Sequence, residues 1–388
     1  MDLSTLYKTQ ISLTEWFQRM GMKNADAHRK EDNDKRERLA VLNDLFGLPF
    51  DRPTQFPASE IVVPSPEFAE FLETRGDELC ALRLIPHDSS MPKLRTRGAS
   101  IRDSLGWFAE QKIDAMKYKA DFVPHAEHQL WSTIFVVNKY GAFGQIVAGA
   151  HSQLTQGFYE EGTEPISFAW DGRSLQLNPE NEEATEHVRM LVEMLRVKDV
   201  EAREKLVADF GAMFFGEILC GYFETTTSEE FGVWFVDWNR LLGAEYADEQ
   251  GDVAQLAQGV IADSSVEALA KTNRPSGNPR SPNTLRGNIG SRGTATGRAR
   301  VIRAVDLAGA DIELGDILVT DVTTPDFLPL MQKAGAVVTA WGGILSHAAI
   351  VCRELKKPCL TNVKRLFEEV IDGAMIEVDG ENGEITIQ

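Results

Sequence analysis

Toward the end of the 388-residue chain runs Gly342-Gly343-Ile344-Leu345-Ser346-His347-Ala348-Ala349-Ile350-Val351-Cys352-Arg353-Glu354-Leu355, the stretch that leaves the chain least freedom. Two glycines let the backbone turn tightly, and Ser346 is a good N-cap for the apolar run behind it. The pattern therefore predicts a helix with His347 on its first turn. A helix start offers unpaired N–H groups and a partial positive charge, which steady a phosphoryl group carried on the imidazole. With an unperturbed pKa of ~6.5, imidazole is also a competent nucleophile near neutral pH. From spacing alone two readings stand: a phosphoryl-accepting histidine, or one that caps the helix or sits satisfied at the surface.

Around this stretch lie Gly290-Ser291-Arg292-Gly293, Gly297-Arg298-Ala299, Gly315-Asp316-Ile317-Leu318-Val319, Thr324-Pro325-Asp326, Lys333-Ala334-Gly335-Ala336-Val337-Val338-Thr339, Lys357-Pro358 and Val378-Asp379-Gly380. In this order, from about Leu285 onward, they resemble the mobile, swivelling phosphohistidine domain of the phosphoenolpyruvate-utilising enzymes. The resemblance implies that His347 is the catalytic residue and that Gly342, Gly343 and Ser346 shape the helix start. Proximity in the motif alone adds Thr324 and Arg353 as residues expected to assist with phosphate. ATP as donor, with Mg²⁺, and an ATP-grasp domain that loads the histidine are implied in the same way. The chain departs from the family at Leu345, where many members have Thr, and at Cys352, where many have Ala; neither change touches the nucleophile.

Composition narrows the setting. No run approaches the ~20 apolar residues that cross a bilayer, and Met1-Asp2-Leu3-Ser4 has no basic region followed by an apolar one. A cytoplasmic protein without a membrane partner is expected. Cys80, Cys220, Cys352 and Cys359 lie far apart without a paired metal spacing and read as free thiols. A net charge of −19 argues against nucleic acid as the main partner. Only −3 of it falls in residues 282–388. An anionic ligand of the larger part thus needs a local basic pocket or metal ions.

The expected fold class is mixed α/β. Residues 1–77 read as a helical segment, in which the charged run from Lys30 to Arg38 is a solvated face or a docking surface. Residues 78–272 read as an α+β domain that binds nucleotide or acceptor and resembles ATP-grasp proteins in part. Its expected elements are a strand over 79–85, a helix over 101–111 and a hairpin of 131–138 with 144–151. Helices over 182–197 and 200–223, a loop at 225–228, a strand over 231–239 and a helix over 253–269 follow. Residues 273–283, rich in proline, glycine and small polar groups, read as a linker to the swivelling domain at 284–388.

Within the acidic part, Lys93, Arg95, Arg97 and Arg102 form either a polyphosphate clasp, with Gly98 and the hydroxyls of Thr96 and Ser100, or a surface loop paired to nearby acids. Asp237 and Glu230, with Glu217, are the acidic groups expected to hold Mg²⁺. His125 and His128 read as metal ligands or as an ordinary loop. His151 reads as a strand-end substrate contact or a structural turn.

These readings converge on a phosphotransferase, or the phosphohistidine-bearing subunit of one. His347 takes a phosphoryl group from ATP and passes it to a small-molecule acceptor or water. Forty-one residues follow His347, too few for the (β/α)₈ barrel of ~250 residues that family members use for phosphoenolpyruvate or pyruvate. The acceptor is therefore expected on the N-terminal region or on a separate kinase or acceptor subunit. The alternative is a non-catalytic phosphocarrier or regulatory module.

Overall fold

The computed structural model describes residues 17, 21, 25–88, 91, 93–156, 163, 165–247 and 284–388. The helix expected over 253–269 and the linker over 273–283 lie outside them. A first sheet pairs Thr54–Pro57, Tyr118–Pro124, Leu79–Pro86 and Leu94–Arg95 in that order, with Ala99–Ser100 also on Leu79–Pro86. Phe68, Phe71, Ile101 and Phe108, from the helices Pro66–Arg75 and Ile101–Glu110, pack on Leu82, Leu84 and Phe122. The segment before residue 78 is not a helical unit of its own, because Thr54–Pro57 pairs residue by residue with Tyr118–Pro124.

The central sheet is antiparallel throughout, in the order Gly232–Asn239, Gly221–Ser228, Trp131–Asn138, Gly141–Ala148, Ile166–Trp170, Leu175–Asn178. Its alternation sends Phe135, Ile146, Phe168, Phe223 and Phe235 to one face, where Leu39, Leu42, Val188, Leu191 and Leu206 of the helices Lys35–Phe46, Glu182–Met194 and Val200–Phe210 cover them. Ile134, Val136, Phe143, Val147 and Tyr222 take the other face. The hairpin expected here exists, but its turn is only Lys139-Tyr140, so the second strand spans Gly141–Ala148 rather than 144–151. The helix expected over 200–223 stops at Phe210, where Gly211 turns left-handed. The run Gly221-Tyr222-Phe223-Glu224-Thr225-Thr226-Thr227-Ser228 is strand, not loop, as its β-branched and aromatic content favours.

The charged run from Lys30 to Arg38 turns inward. Arg36 donates to the Val236 carbonyl at 2.6 Å and pairs with Asp51, Arg38 donates to the Trp238 carbonyl at 3.0 Å, and Glu31 accepts from Arg240. All three of these charged side chains are buried. They tie the helix Lys35–Phe46 to the strand Gly232–Asn239, and the helix Ala25–Asn33 to Arg240 at the start of the helix Arg240–Ala247.

In the C-terminal unit Thr294–Val301, Ile317–Thr320, Ala336–Thr339 and Cys359–Thr361 run in that order in one eight-stranded sheet, all four mutually parallel. Val337, Leu318, Met331, Ala348, Val351 and Cys352 share a core on one side. The loops leaving the carboxyl ends of Ile317–Thr320 and Ala336–Thr339 therefore lie side by side, with Trp341 N–H donating to the Asp321 carbonyl at 3.0 Å. Among the described residues, no helix is long and apolar enough to cross a membrane.

Candidate active site

Where the first and central sheets face each other they enclose a cavity of about 360 Å³. Arg83 and Val123 of the first sheet and Glu224, Thr226 and Trp234 of the central sheet line it, with Lys35, Arg97, His125, His128 and His151. Strand register explains its chemistry. Gln145 pairs with Ile134, Ile134 with Glu224, and Glu224 with Asp237, so these four residues form one rung across four strands on one face.

At one end of the rung stand the carboxylates. Asp237 is buried and its Oδ1 has no hydrogen-bond partner among the described residues, while Lys35 Nζ stands 3.6 Å from Oδ2. Burial raises the Asp237 carboxyl above its ordinary range, Glu224 and Asp32 add to the rise, and Lys35 and Arg38 oppose it. Glu224 accepts from the Tyr222 hydroxyl at 2.9 Å and lies 3.3 Å from His151 Nε2. Burial drives the His151 imidazole down to about 3, with Arg97 and Lys35 adding to the drop, so it is neutral. A buried carboxylate oxygen without a hydrogen bond among the described residues, with only Arg38 Nη2 at 4.0 Å and a second carboxylate beside it, suits Mg²⁺, which takes one or two protein carboxylates and completes its shell with phosphate and water.

Cations surround the carboxylates. Asp32 bridges Lys35 and Lys93, each at 3.2 Å. Burial opposes ionisation of Asp32, but Lys93, Lys35 and Arg95 together hold its carboxyl well below the usual range. Burial pushes the Lys93 ammonium down to about 8 against the pull of Asp32. Arg83 falls to about 9, again through burial and with Arg36 adding to it.

At the other end of the rung sits the histidine loop. Gly342 has φ +108°, a conformation that favours glycine, and Gly343 lies so close to the central sheet that a Cβ there would stand 1.5 Å from Gln145 Oε1. Ile344, Leu345 and Ile350 bury against the Ile134, Val136, Phe143 and Val147 face. The helix His347–Glu354 starts as expected with Ser346 at the N-cap, but among the described residues the buried Ser346 hydroxyl accepts from no helix N–H and has no hydrogen-bond partner. His347 is half-buried, and burial lowers its imidazole to about 4, with the Arg95 guanidinium adding to the shift. Trp341, just before the glycines, is 46 % exposed, and the Lys364 ammonium stands 5.9 Å from its ring centre.

The expected site residues divide accordingly. Among them Arg97 lines the cavity, Asp237 stands on the rung and Gly343 abuts its Gln145, with Gly342, Ser346 and His347 on the same loop; Arg95 acts on both His347 and Asp32, and Lys93 pairs with Asp32. Thr324 lies on the neighbouring carboxyl-end loop, its carbonyl closing a turn to Phe327. Arg353 is placed elsewhere: six residues along the helix, about 9 Å from His347, it donates to the Gly290 carbonyl at 2.6 Å and covers the Tyr246 ring at 4.5 Å. Arg102 pairs with Asp77 at 3.4 Å and donates to the Leu72 carbonyl at 3.1 Å, outside the cavity lining. Glu230 sits in the exposed hairpin turn beyond Ser228 and Gly232, remote from Asp237 in the ladder, and Glu217 pairs with Arg196 at 3.3 Å. The carboxylate opposite Asp237 is instead Glu224, which sequence reading missed by taking its strand for helix and loop. His125 and His128 line the cavity from a loop, not from a helix.

Residues 312–383 match the family described as PEP-utilising enzyme, mobile domain. The C-terminal unit carries that mobile domain. The chain is 40 % identical over 117 residues to a phosphoenolpyruvate synthase of Aeropyrum pernix, a match covering 30 % of this chain and 14 % of that protein. It is 43 % identical over 97 residues to a rifampicin phosphotransferase of Streptomyces sviceus, covering 25 % of this chain and 11 % of that one. The chain thus spans only a small part of the length of these relatives. Among solved structures, the ATP-grasp ligase PsnB with its minimal precursor covers 61 % of this chain and 62 % of its own at 10 % identity and a TM-score of 0.29. Sequence places the mobile-domain match at residues 312–383, and the geometry sets its histidine loop against the central sheet.

Proposed function

We propose that this chain is a phosphotransferase in which the mobile domain takes a phosphoryl group onto His347 from ATP held between the first and central sheets, then passes it to a small-molecule acceptor or water. The observation that carries this reading is the rung. Gly343 rests on Gln145 at one end, and Glu224 and Asp237 stand two and three strand spacings away, about 10 and about 14 Å. That span suits a polyphosphate lying between metal-binding carboxylates and an incoming nucleophile.

Each residue has a definite task. Lys35, Arg95 and Arg97 bind and orient the phosphates. Glu224 and Asp237 would hold Mg²⁺, which when bound offsets phosphate charge. His347, neutral above about pH 4, keeps a lone pair available at physiological pH. The buried Ser346 hydroxyl, unpartnered among the described residues, is a donor for a phosphoryl oxygen at the helix start. Ile344, Leu345 and Ile350 exclude water while the group moves.

The test is incubation of the full chain with Mg²⁺ and, separately, γ- and β-labelled ATP. The expected result is acid-labile, base-stable label on the parent and none on His347→Ala, with Asp237→Asn slowed at least about a hundredfold, the loss of roughly 2.7 kcal/mol of electrostatic stabilisation. A parent chain that takes label from neither form overturns the reading.

A further inference from the structure

Arg353 belongs to the mobile domain, but its guanidinium lies over a ring of the N-terminal unit. Its Nε donates to the Gly290 carbonyl at 2.6 Å, and its guanidinium carbon stands 4.5 Å from the centre of the Tyr246 ring. The two partners differ in kind. Gly290 is on the strand Asn288–Ser291, which runs so close to the helix His347–Glu354 that a Cβ at Gly290 would stand 3.2 Å from Ala349 Cβ. That hydrogen bond lies inside the mobile domain and sets the plane of the guanidinium before any docking. Tyr246 is on the helix Arg240–Ala247, is 2 % exposed, and packs edge-on to Phe143 of the central sheet at 6.1 Å. Asn138 of the same sheet donates to the Tyr246 carbonyl at 3.3 Å, so the backbone that carries the ring is anchored within its own unit.

A cation within about 6 Å of an aromatic face is attracted by the ring quadrupole, and the attraction grows where water is excluded. Arginine suits the place, because one N–H can bind a carbonyl while the planar face covers the ring, which a lysine ammonium cannot do. The apolar contact of Ile344, Leu345 and Ile350 with the central sheet is non-directional, and by itself it leaves the domain free to turn about that point. A second, directional contact about 9 Å along the helix from His347 removes that freedom.

We propose that Arg353 is a positioning residue: preset by Gly290, it closes on the Tyr246 ring when the mobile domain docks and fixes the orientation in which His347 meets the cavity. The clamp rests on the reading of His347 as a mobile phosphoryl carrier. The ring contact is lost whenever the domain leaves, while the Gly290 hydrogen bond stays, so each return needs no fresh ordering of the Arg353 side chain. Arg353 thereby acts on the rate of phosphoryl transfer and not on nucleotide affinity.

The experiment replaces Tyr246 in the full chain by phenylalanine and its mono-, di- and trifluorinated analogues, since fluorine drains the negative ring face and nearly keeps the ring's shape. Two quantities are read: the single-turnover rate of His347 labelling from ATP, and energy transfer without ATP between dyes on Val63→Cys and Leu314→Cys, the four native cysteines being buried. The expected labelling rate falls stepwise with each fluorine, to about a tenth of the parent rate for the trifluoro ring, with ATP affinity by calorimetry unchanged. Energy transfer should follow the same series. Arg353→Met should start from the low rate and show no fluorine dependence, and Arg353→Lys should recover only part of the rate. A labelling rate indifferent to fluorine, or a series that descends equally in Arg353→Met, overturns the clamp and leaves phosphotransfer standing. Should the parent take no label, the phosphotransfer reading fails and energy transfer decides the clamp: a stepwise series keeps it as a docking contact, and a flat one removes it.

Discussion

At residue 343 a single methyl group decides whether the mobile domain can dock. The Gln145 side chain that it would strike is buried and donates to the Ser167 hydroxyl at 3.2 Å, so it has little room to yield. Gly343→Ala should lower the single-turnover rate of His347 labelling about tenfold or more, ~1.4 kcal/mol, with circular dichroism unchanged. Adding Gln145→Ala should restore most of it, an interaction that a double-mutant cycle reads directly. Lys93 gives a second expectation. Its ammonium loses its proton at about 8 because it is buried, so ATP affinity by calorimetry should fall as pH rises from 7 to 9.5. Lys93→Arg, which keeps its charge, should flatten that profile. His347 and its glycines were legible because a nucleophile at a helix start has local signs: a turn, an N-cap residue and an apolar run. Glu224 was not, since nothing in Thr-rich sequence around it marks a carboxylate whose partner, Asp237, lies across a ladder.

Among elements, the helix Lys35–Phe46 departs furthest from its sequence reading. Mixed charge suggests solvent, because most charged runs are solvated, and hydrophobic periodicity records only where apolar residues fall. Here Arg36 and Arg38 are buried against strand carbonyls, and Asp51 is the counter-charge for Arg36. Burial raises the Asp51 carboxyl above its ordinary range in spite of Arg36, a sign of how dry the pair is. Arg36→Ala removes the ion-pair partner of that buried carboxylate, leaving only the more distant Arg83 and Lys35, and should destabilise the chain by about 3 kcal/mol in urea unfolding. The exposed Lys364→Ala should stay within about 0.5 kcal/mol. Strand boundaries were readable where residues alternate, as in Trp131–Asn138, and failed at Gly221–Ser228, where a helix-like apolar run leads into threonines.

For the whole molecule, the informative residue is Leu345. As a departure from the family pattern it was visible in the sequence. Its reason was not, because the surface that buries it to 3 % exposure belongs to a sheet some two hundred residues earlier in the chain. Leu345→Asp should leave both units folded, change the energy transfer between dyes on Val63→Cys and Leu314→Cys, both exposed positions, and reduce His347 labelling about a hundredfold, the loss of roughly 2–3 kcal/mol of apolar burial. Equal energy transfer in parent and variant would remove the role given to this contact.

Trp341 adds an optical consequence. Among the described tryptophans it alone is exposed, and it adjoins the two glycines that present the histidine. Its emission is therefore that of a wet indole beside a lysine cation, while the remaining described indoles are at least partly shielded. On the proposed function, a dianion arriving on His347 and the departure of the loop from the sheet would both change the field and the solvent at that ring. The chain thus contains its own fluorophore for stopped-flow work, so that loading and release of the carrier can be timed on unlabelled protein and checked against Trp341→Phe, which should lose the signal and keep the turnover.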